Sequence, residues 1–203
     1  MKTLSKFFAI GLVISLFSAC GTSRRKNPAT HDEGVVIRGV RWATRNVDMP
    51  GTFAQNPEDF GMFFQWNRKK GWNVVGEVEG WDSSIPTGTA WYAENDPCPP
   101  GWRVPTLDEL QSLRIAGSRW ATKNNVNGRF FGDEENFIFL PAVGWRYGGN
   151  DSIHVSGYSG GYWSNSNQHS GSGRARFMAF FSFDTLMPDT PRNNGRNIRC
   201  VAK

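Results

Sequence analysis

Three cysteines carry the clearest chemistry in this 203-residue chain, and their surroundings divide them into two kinds. Cys20 closes the run Phe17-Ser18-Ala19-Cys20, behind an apolar stretch from Phe7 to Phe17 and the basic residues Lys2 and Lys6. A basic start, a short apolar run and small residues before a cut site are the order of a secretory signal. The run is too short to span a bilayer, which takes about 20 apolar residues. A cysteine at the cut supplies a thiol that takes up a diacylglyceryl group, and cleavage frees an amine that can be acylated with palmitate. More than one acyl chain makes a stable anchor, where a single chain binds only marginally. The pattern predicts a signal peptide over 1–19 and a membrane partner held through lipid on Cys20, expected to be the outer membrane with the domain on its periplasmic or outer face. The alternative is an ordinary signal peptide with a chance cysteine near its cut.

Cys98 and Cys200 remain, and export places them where disulfides persist. Pairing them is the one intramolecular choice, and closing a loop of roughly 100 residues is worth about 4–5 kcal/mol on the chain-entropy account. Two buried free thiols are the alternative.

Other groups with catalytic or metal-binding character are scattered. His31, His154 and His169 have no second ligand at a spacing such as His-Glu-x-x-His. Asp133-Glu134-Glu135-Asn136 offers the oxygens calcium takes, without the alternating acidic spacing of a calcium loop, and reads as a charged turn. Glu77, Glu79 and Asp82 flank Trp81, the composition of a glycosidase site, and fit equally an edge segment with its acids in water. No serine has a nucleophile-elbow context, and His169-Ser170-Gly171-Ser172-Gly173 is too weak a pattern for a phosphate cradle. Neither a catalytic residue, a cofactor nor a metal is expected. The best candidate ligand-binding loop runs from Trp145 to Tyr162, with Tyr147, Asn150, Asp151, His154 and Tyr158 among glycines; aromatic faces and amides of this kind can grip a sugar ring.

The elements that must position these residues are short. Gly21 to about Gly34 lacks apolar periodicity and reads as a flexible tether over 20–34, leaving one domain over 35–203. Thr106-Leu-Asp-Glu109 is a capping box after Pro105, followed by Leu107, Leu110 and Leu113 at helical spacing and a stop at Gly117. A second, shorter helix is expected around Gly88 to Asn95. Ala175, Phe177, Ala179, Phe181 and Phe183 alternate with Arg174, Arg176, Met178, Phe180 and Ser182, predicting a strand with one core face. Phe137 to Val143 and Val35 to Trp42 are further strands, and Ile198, Cys200 and Ala202 share a face of the last one. First strand, last strand and capped helix are expected to pack around one small sheet. Removing Lys2 and Lys6 from 23 basic residues, against 18 acidic, lowers the formal net charge from +5 to +3. With Arg24-Arg25-Lys26 and Arg68-Lys69-Lys70 short and far apart, no nucleic-acid partner is expected.

Several segments, in order, carry a resemblance: Arg41-Trp42-Ala43-Thr44-Arg45-Asn46-Val47, Phe60-Gly61, Gln65-Trp66-Asn67, Cys98-Pro99-Pro100-Gly101-Trp102-Arg103-Val104-Pro105, Phe139-Leu140-Pro141, Gly161-Tyr162-Trp163-Ser164 and Gly195-Arg196-Asn197-Ile198-Arg199-Cys200-Val201. Together they resemble the Fibrobacter succinogenes major paralogous domain over about residues 35–203. That resemblance implies an α+β, C-type-lectin-like fold similar to formylglycine-generating enzymes: a small twisted antiparallel sheet, one or two helices, long loops and one disulfide. It also implies that Trp42, Trp66, Trp102 and Trp163 fill the core, each with an indole N–H in need of a partner. The reactive cysteine pair of those enzymes is not carried over, because Cys98 stands beside the helix and Cys200 in the final strand. The expectation is a non-catalytic envelope lipoprotein that binds or adheres to a glycan or a protein surface; a structural or accessory subunit of an envelope or surface-fibre complex is the alternative, and a polysaccharide-acting enzyme the third.

Overall fold

The computed structural model describes residues 30–148, 152–166 and 172–203. The signal segment and Cys20 lie outside the described residues, as do Asn150, Asp151 and His169. The chain passes through β1 (Val35–Ile37), β2 (Val40–Trp42), β3 (Phe63–Phe64), β4 (Gly71–Trp72) and β5 (Trp102–Arg103) to helix α1 (Leu107–Ile115). It continues with β6 (Ser118–Lys123), β7 (Val126–Gly132), β8 (Phe137–Pro141), β9 (Trp145–Arg146), β10 (Ile153–His154), β11 (Ser159–Trp163), β12 (Arg174–Phe181), β13 (Thr185–Leu186), β14 (Asp189–Pro191) and β15 (Val201–Ala202). The architecture is α+β, made of small antiparallel sheets, with one α-helix among the described residues and a Cys98–Cys200 disulfide.

The helix forms as its sequence requires. Thr106 Oγ1 accepts from the Glu109 amide at 3.2 Å while the Glu109 carboxylate accepts from the Thr106 amide at 2.7 Å. Arg103 holds the same carboxylate through two bonds of 2.8 and 2.6 Å. Burial works to raise the Glu109 pKa, but these donors prevail and hold it below the ordinary carboxylate value. Leu107, Leu110 and Leu113 turn inward, and Gly117, at a φ of +99°, ends the helix.

The single sheet expected from the sequence is instead several small ones. One runs β1-β2-β15-β5 and does unite the first and last strands; a second is the meander β6-β7-β8; a third is β11-β12-β13, with β14 also on β12; β3-β4 and β9-β10 are separate pairs. Long loops interrupt the ladders, which is why the sheet breaks up. Val35 to Trp42, expected as one strand, folds back at Arg38 and Gly39, whose φ values of +50° and +81° suit the two-residue turns favoured in hairpins. The helix expected around Gly88 to Asn95 is only a 3-10 turn over Ala93–Asn95, with no side chain capping it.

Strand alternation feeds two large cores rather than one, and Phe63, Trp72 and Val143 form a smaller third. Ala175, Phe177 and Ala179 of β12 face a core with Trp66, Trp102, Trp163, Ile198 and Cys200. Met178 and Phe180 of the same strand face a second core with Trp42, Leu110, Leu113, Phe131, Leu140, Tyr162 and Val201. Successive residues therefore serve opposite sides: Tyr162 and Trp163, Cys200 and Val201, Trp42 and Ala43. This corrects the one-faced reading of the Ala175 strand, and Phe183, expected on its core face, lies beyond β12 and is 84 % exposed. Ile198 and Cys200 do share a core, with Ala202 packed against it. The four motif tryptophans are all buried. Trp66 Nε1 donates to the Ser164 carbonyl and Trp163 Nε1 to that of Phe64, whereas Trp42 Nε1 has no acceptor.

What ties the loops to these cores is a set of buried arginines aimed at backbone carbonyls. Irregular segments leave carbonyl groups that need donors, and a guanidinium offers five. Arg146 Nε donates to Asn73 O and Nη2 to Gly76 O; Arg192 donates to the carbonyls of Pro86, Gly88 and Arg174; Arg199 donates to those of Ala43 and Phe139 and to the Asn46 side chain. The start of the domain is held by an acid: Asp32, buried, accepts from the amides of Gly34 and Thr44, the Thr44 hydroxyl and Arg45 Nε.

Candidate functional site

The candidate loop begins as a hairpin. Trp145 pairs directly with His154 and Arg146 with Ile153 across β9 and β10. Alternation sends Arg146 inward to the Asn73 and Gly76 carbonyls and leaves Trp145 and Tyr147 on the other face. Gly144 makes the approach possible: at a φ of +78°, a Cβ there would stand 2.1 Å from the His154 carbonyl oxygen.

On that outer face three rings meet. Tyr147 and His154 are edge to face with centroids 4.4 Å apart, and Trp145 lies 6.4 Å from Tyr147 and 6.5 Å from His154, stacked on the latter. Tyr147 is 44 % exposed, and Trp145 and His154 are half-buried. His154 Nε2 and Ser152 Oγ are 2.8 Å apart, which fixes the imidazole plane. Beneath Trp145 sits the Arg196 guanidinium, 3.6 Å from the Phe177 ring centroid, 5.1 Å from Trp145 and 5.7 Å from Trp163. Its Nε has no hydrogen-bond partner. Burial pushes its pKa down to about 9, partly offset by Tyr147, so it remains a cation at neutral pH. Gly161 leaves the room for it, since a Cβ there would lie 2.4 Å from Arg196 Nη1.

Of the residues expected at this site, the structure brings Tyr147 and His154 together. Tyr158 stands apart in a turn closed by its amide on the Val155 carbonyl, with its side chain in solvent. Asn150 and Asp151 lie outside the described residues. Trp145, the first residue of the expected loop, and Arg196, from the last motif of the resemblance, complete the site; the strand period places Trp145 beside Tyr147, but nothing local in the sequence links Arg196 to either.

The other expected sites resolve into local structure. Trp81 packs on Trp72 with centroids 4.9 Å apart and donates to the Gly148 carbonyl. Hydrogen bonds from Ser84, and then Arg68, hold the Asp82 carboxyl below its ordinary range, and Glu77 and Glu79 face solvent. Asp133 turns its own loop, accepting from the Glu135 and Asn136 amides at 3.0 and 2.7 Å. Among the described residues, no three His, Cys, Asp or Glu side chains come together as a metal site would need.

An exposed Tyr flanked by a half-buried Trp and His can stack on the C–H face of a sugar ring and offer hydroxyl and imidazole hydrogen bonds. Comparison with known protein families, with curated proteins and with solved structures yields no match for this chain.

Proposed function

We propose that this chain is an exported envelope lipoprotein, anchored through lipid on Cys20, whose domain is a non-catalytic binding module that takes a glycan on the Trp145, Tyr147 and His154 face. The observation that carries the binding reading is the gathering of those three rings on one face of a two-stranded hairpin, with Tyr147 44 % exposed. The long arginine-held loops, the single disulfide and the small sheets agree with a C-type-lectin-like fold of the kind the Fibrobacter succinogenes major paralogous domain resembles. An outer-membrane location follows from the signal pattern and from Cys20.

Glycan-array binding of the full chain in detergent tests the surface. Tyr147→Ala and His154→Ala should each weaken the selected glycan by roughly tenfold or more, about 1.4 kcal/mol, while Tyr158→Ala leaves it unchanged. Silence on the array with capture of one envelope protein by crosslinking in intact cells would favour the accessory-subunit reading instead. The anchor is tested separately: Cys20→Ser should move the protein from the membrane to the soluble fraction and remove the acyl mass. A variant that stays membrane-bound would sink the lipid reading.

A further inference from the structure

Arg192 is the buried arginine whose hydrogen bonding is left incomplete beside an open cavity. Only 3 % of it is exposed, directly after β14, with its amide donating to the Gly173 carbonyl. Its guanidinium lies 4.4 Å from the Trp66 ring centroid. Nη1 donates to Pro86 O at 3.1 Å and Gly88 O at 3.0 Å, and Nε to Arg174 O at 3.1 Å. These bonds fix the plane of the group while supplying only neutral acceptors. Nη2 has none.

That side chain lines a cavity of about 430 Å³ together with Ile85, Pro86, Thr87, Gly88, Thr89 and Gly173. The volume falls in the range of small-ligand sites, about 300–1,000 Å³. No acid lines it. The neighbouring cation, Arg174, is already paired with Asp189 at 2.7 Å. A buried cation without a counter-charge costs free energy, and a donor left without an acceptor adds to that cost.

We propose that this cavity binds a sugar carboxylate, a hexuronate, with Arg192 as its counter-charge. One guanidinium matches one carboxylate; a phosphate or sulfate dianion would call for further cations, and among the described residues the lining supplies none beyond Arg192. Thr87 and Thr89 offer hydroxyls to the sugar's own hydroxyls, and Ile85 with Pro86 offers an apolar wall to the C–H face of its ring. This site is separate from the Trp145 face, and its test reads different residues, so either reading can fail without the other.

Titration calorimetry of the full chain with sodium glucuronate, glucose and sodium acetate tests the assignment. Glucuronate should bind at least tenfold tighter than glucose and than acetate, and raised salt should weaken it. Thr89→Glu, a change at an exposed rim position, should reduce glucuronate affinity at least tenfold while leaving the melting temperature near that of the parent. Arg192→Gln should reduce the affinity likewise, with a lower melting temperature from the lost carbonyl bonds and circular dichroism as the check that it folds. Equal binding of glucuronate and glucose would overturn the charge assignment, and equal binding of acetate and glucuronate would overturn the sugar assignment. Undiminished glucuronate binding by Thr89→Glu would overturn the location.

Discussion

Reducing the Cys98–Cys200 disulfide will lower the melting temperature by about 10–20 °C. The bond spans 102 residues of sequence, and opening a loop of that size returns about 4–5 kcal/mol of chain entropy to the unfolded state. In a domain of this size each kcal/mol moves the midpoint by about 2–4 °C. Native packing does not offset the loss. Cys200 is fully buried among Trp102, Trp163 and Ile198, while the Cys98 segment is held chiefly by Asp96, which accepts from the Cys98 and Val104 amides at 2.9 and 3.1 Å. Without the bond, that loop keeps Asp96 and three backbone bonds, the Gly51 amide on the Pro97 carbonyl, the Trp102 amide on the Pro99 carbonyl and the Lys203 amide on the Gly101 carbonyl. Melting followed by circular dichroism, with and without reductant, measures the effect. Cys98→Ala/Cys200→Ala should reproduce it and be insensitive to reductant, and a shift below about 3 °C would show that the loop is restrained by other contacts.

The features that could be read from the sequence are those whose cause is local or arithmetical. Thr106 and Glu109 are three residues apart, so their capping box needs no knowledge of the fold. Cys98 and Cys200, the two cysteines outside the N-terminal apolar segment, have one way to pair with each other. The four motif tryptophans are buried because so large an apolar ring has few other stable places. What escaped reading depends on distant partners. Met178 and Phe180 alternate with Ala179 and Phe177, and the sequence marks them as the outer face because Arg174 and Arg176 share their phase. Helix α1 and β7 cover that end of the strand, so both faces become core. Arg38 and Gly39 interrupt an apolar run whose β-propensity favours a continuous strand. The site has the same limit: Tyr147 and His154 are close in sequence and legible there, whereas Arg196 arrives from a segment near the end of the chain.

The buried arginines show this most clearly, and Arg199 gives the second large expected effect. In sequence it is one more positive charge beside a cysteine. In the fold it is fully buried, with Nε and Nη2 on Asn46 Oδ1 at 3.1 and 2.7 Å, Nη1 on the Ala43 carbonyl at 3.3 Å and Nη2 on the Phe139 carbonyl at 3.1 Å. It thereby joins the chain after β2 to β8, two regions almost a hundred residues apart that share no strand pairing. Arg199→Met fits the volume and removes the cost of burying the charge, but leaves three acceptors without their donor. Each orphaned acceptor costs about 1–3 kcal/mol, so after the relief of the buried charge the net loss should be about 3–5 kcal/mol. Arg199→Lys should do no better, since an ammonium has three donors on a flexible stem and cannot hold the forked geometry on Asn46. Urea unfolding of the three proteins decides between a network role and simple space-filling: if methionine costs less than about 1 kcal/mol while lysine costs several, Arg199 acts through volume alone, and if both cost several, its value lies in the donors it carries to carbonyls that no strand reaches.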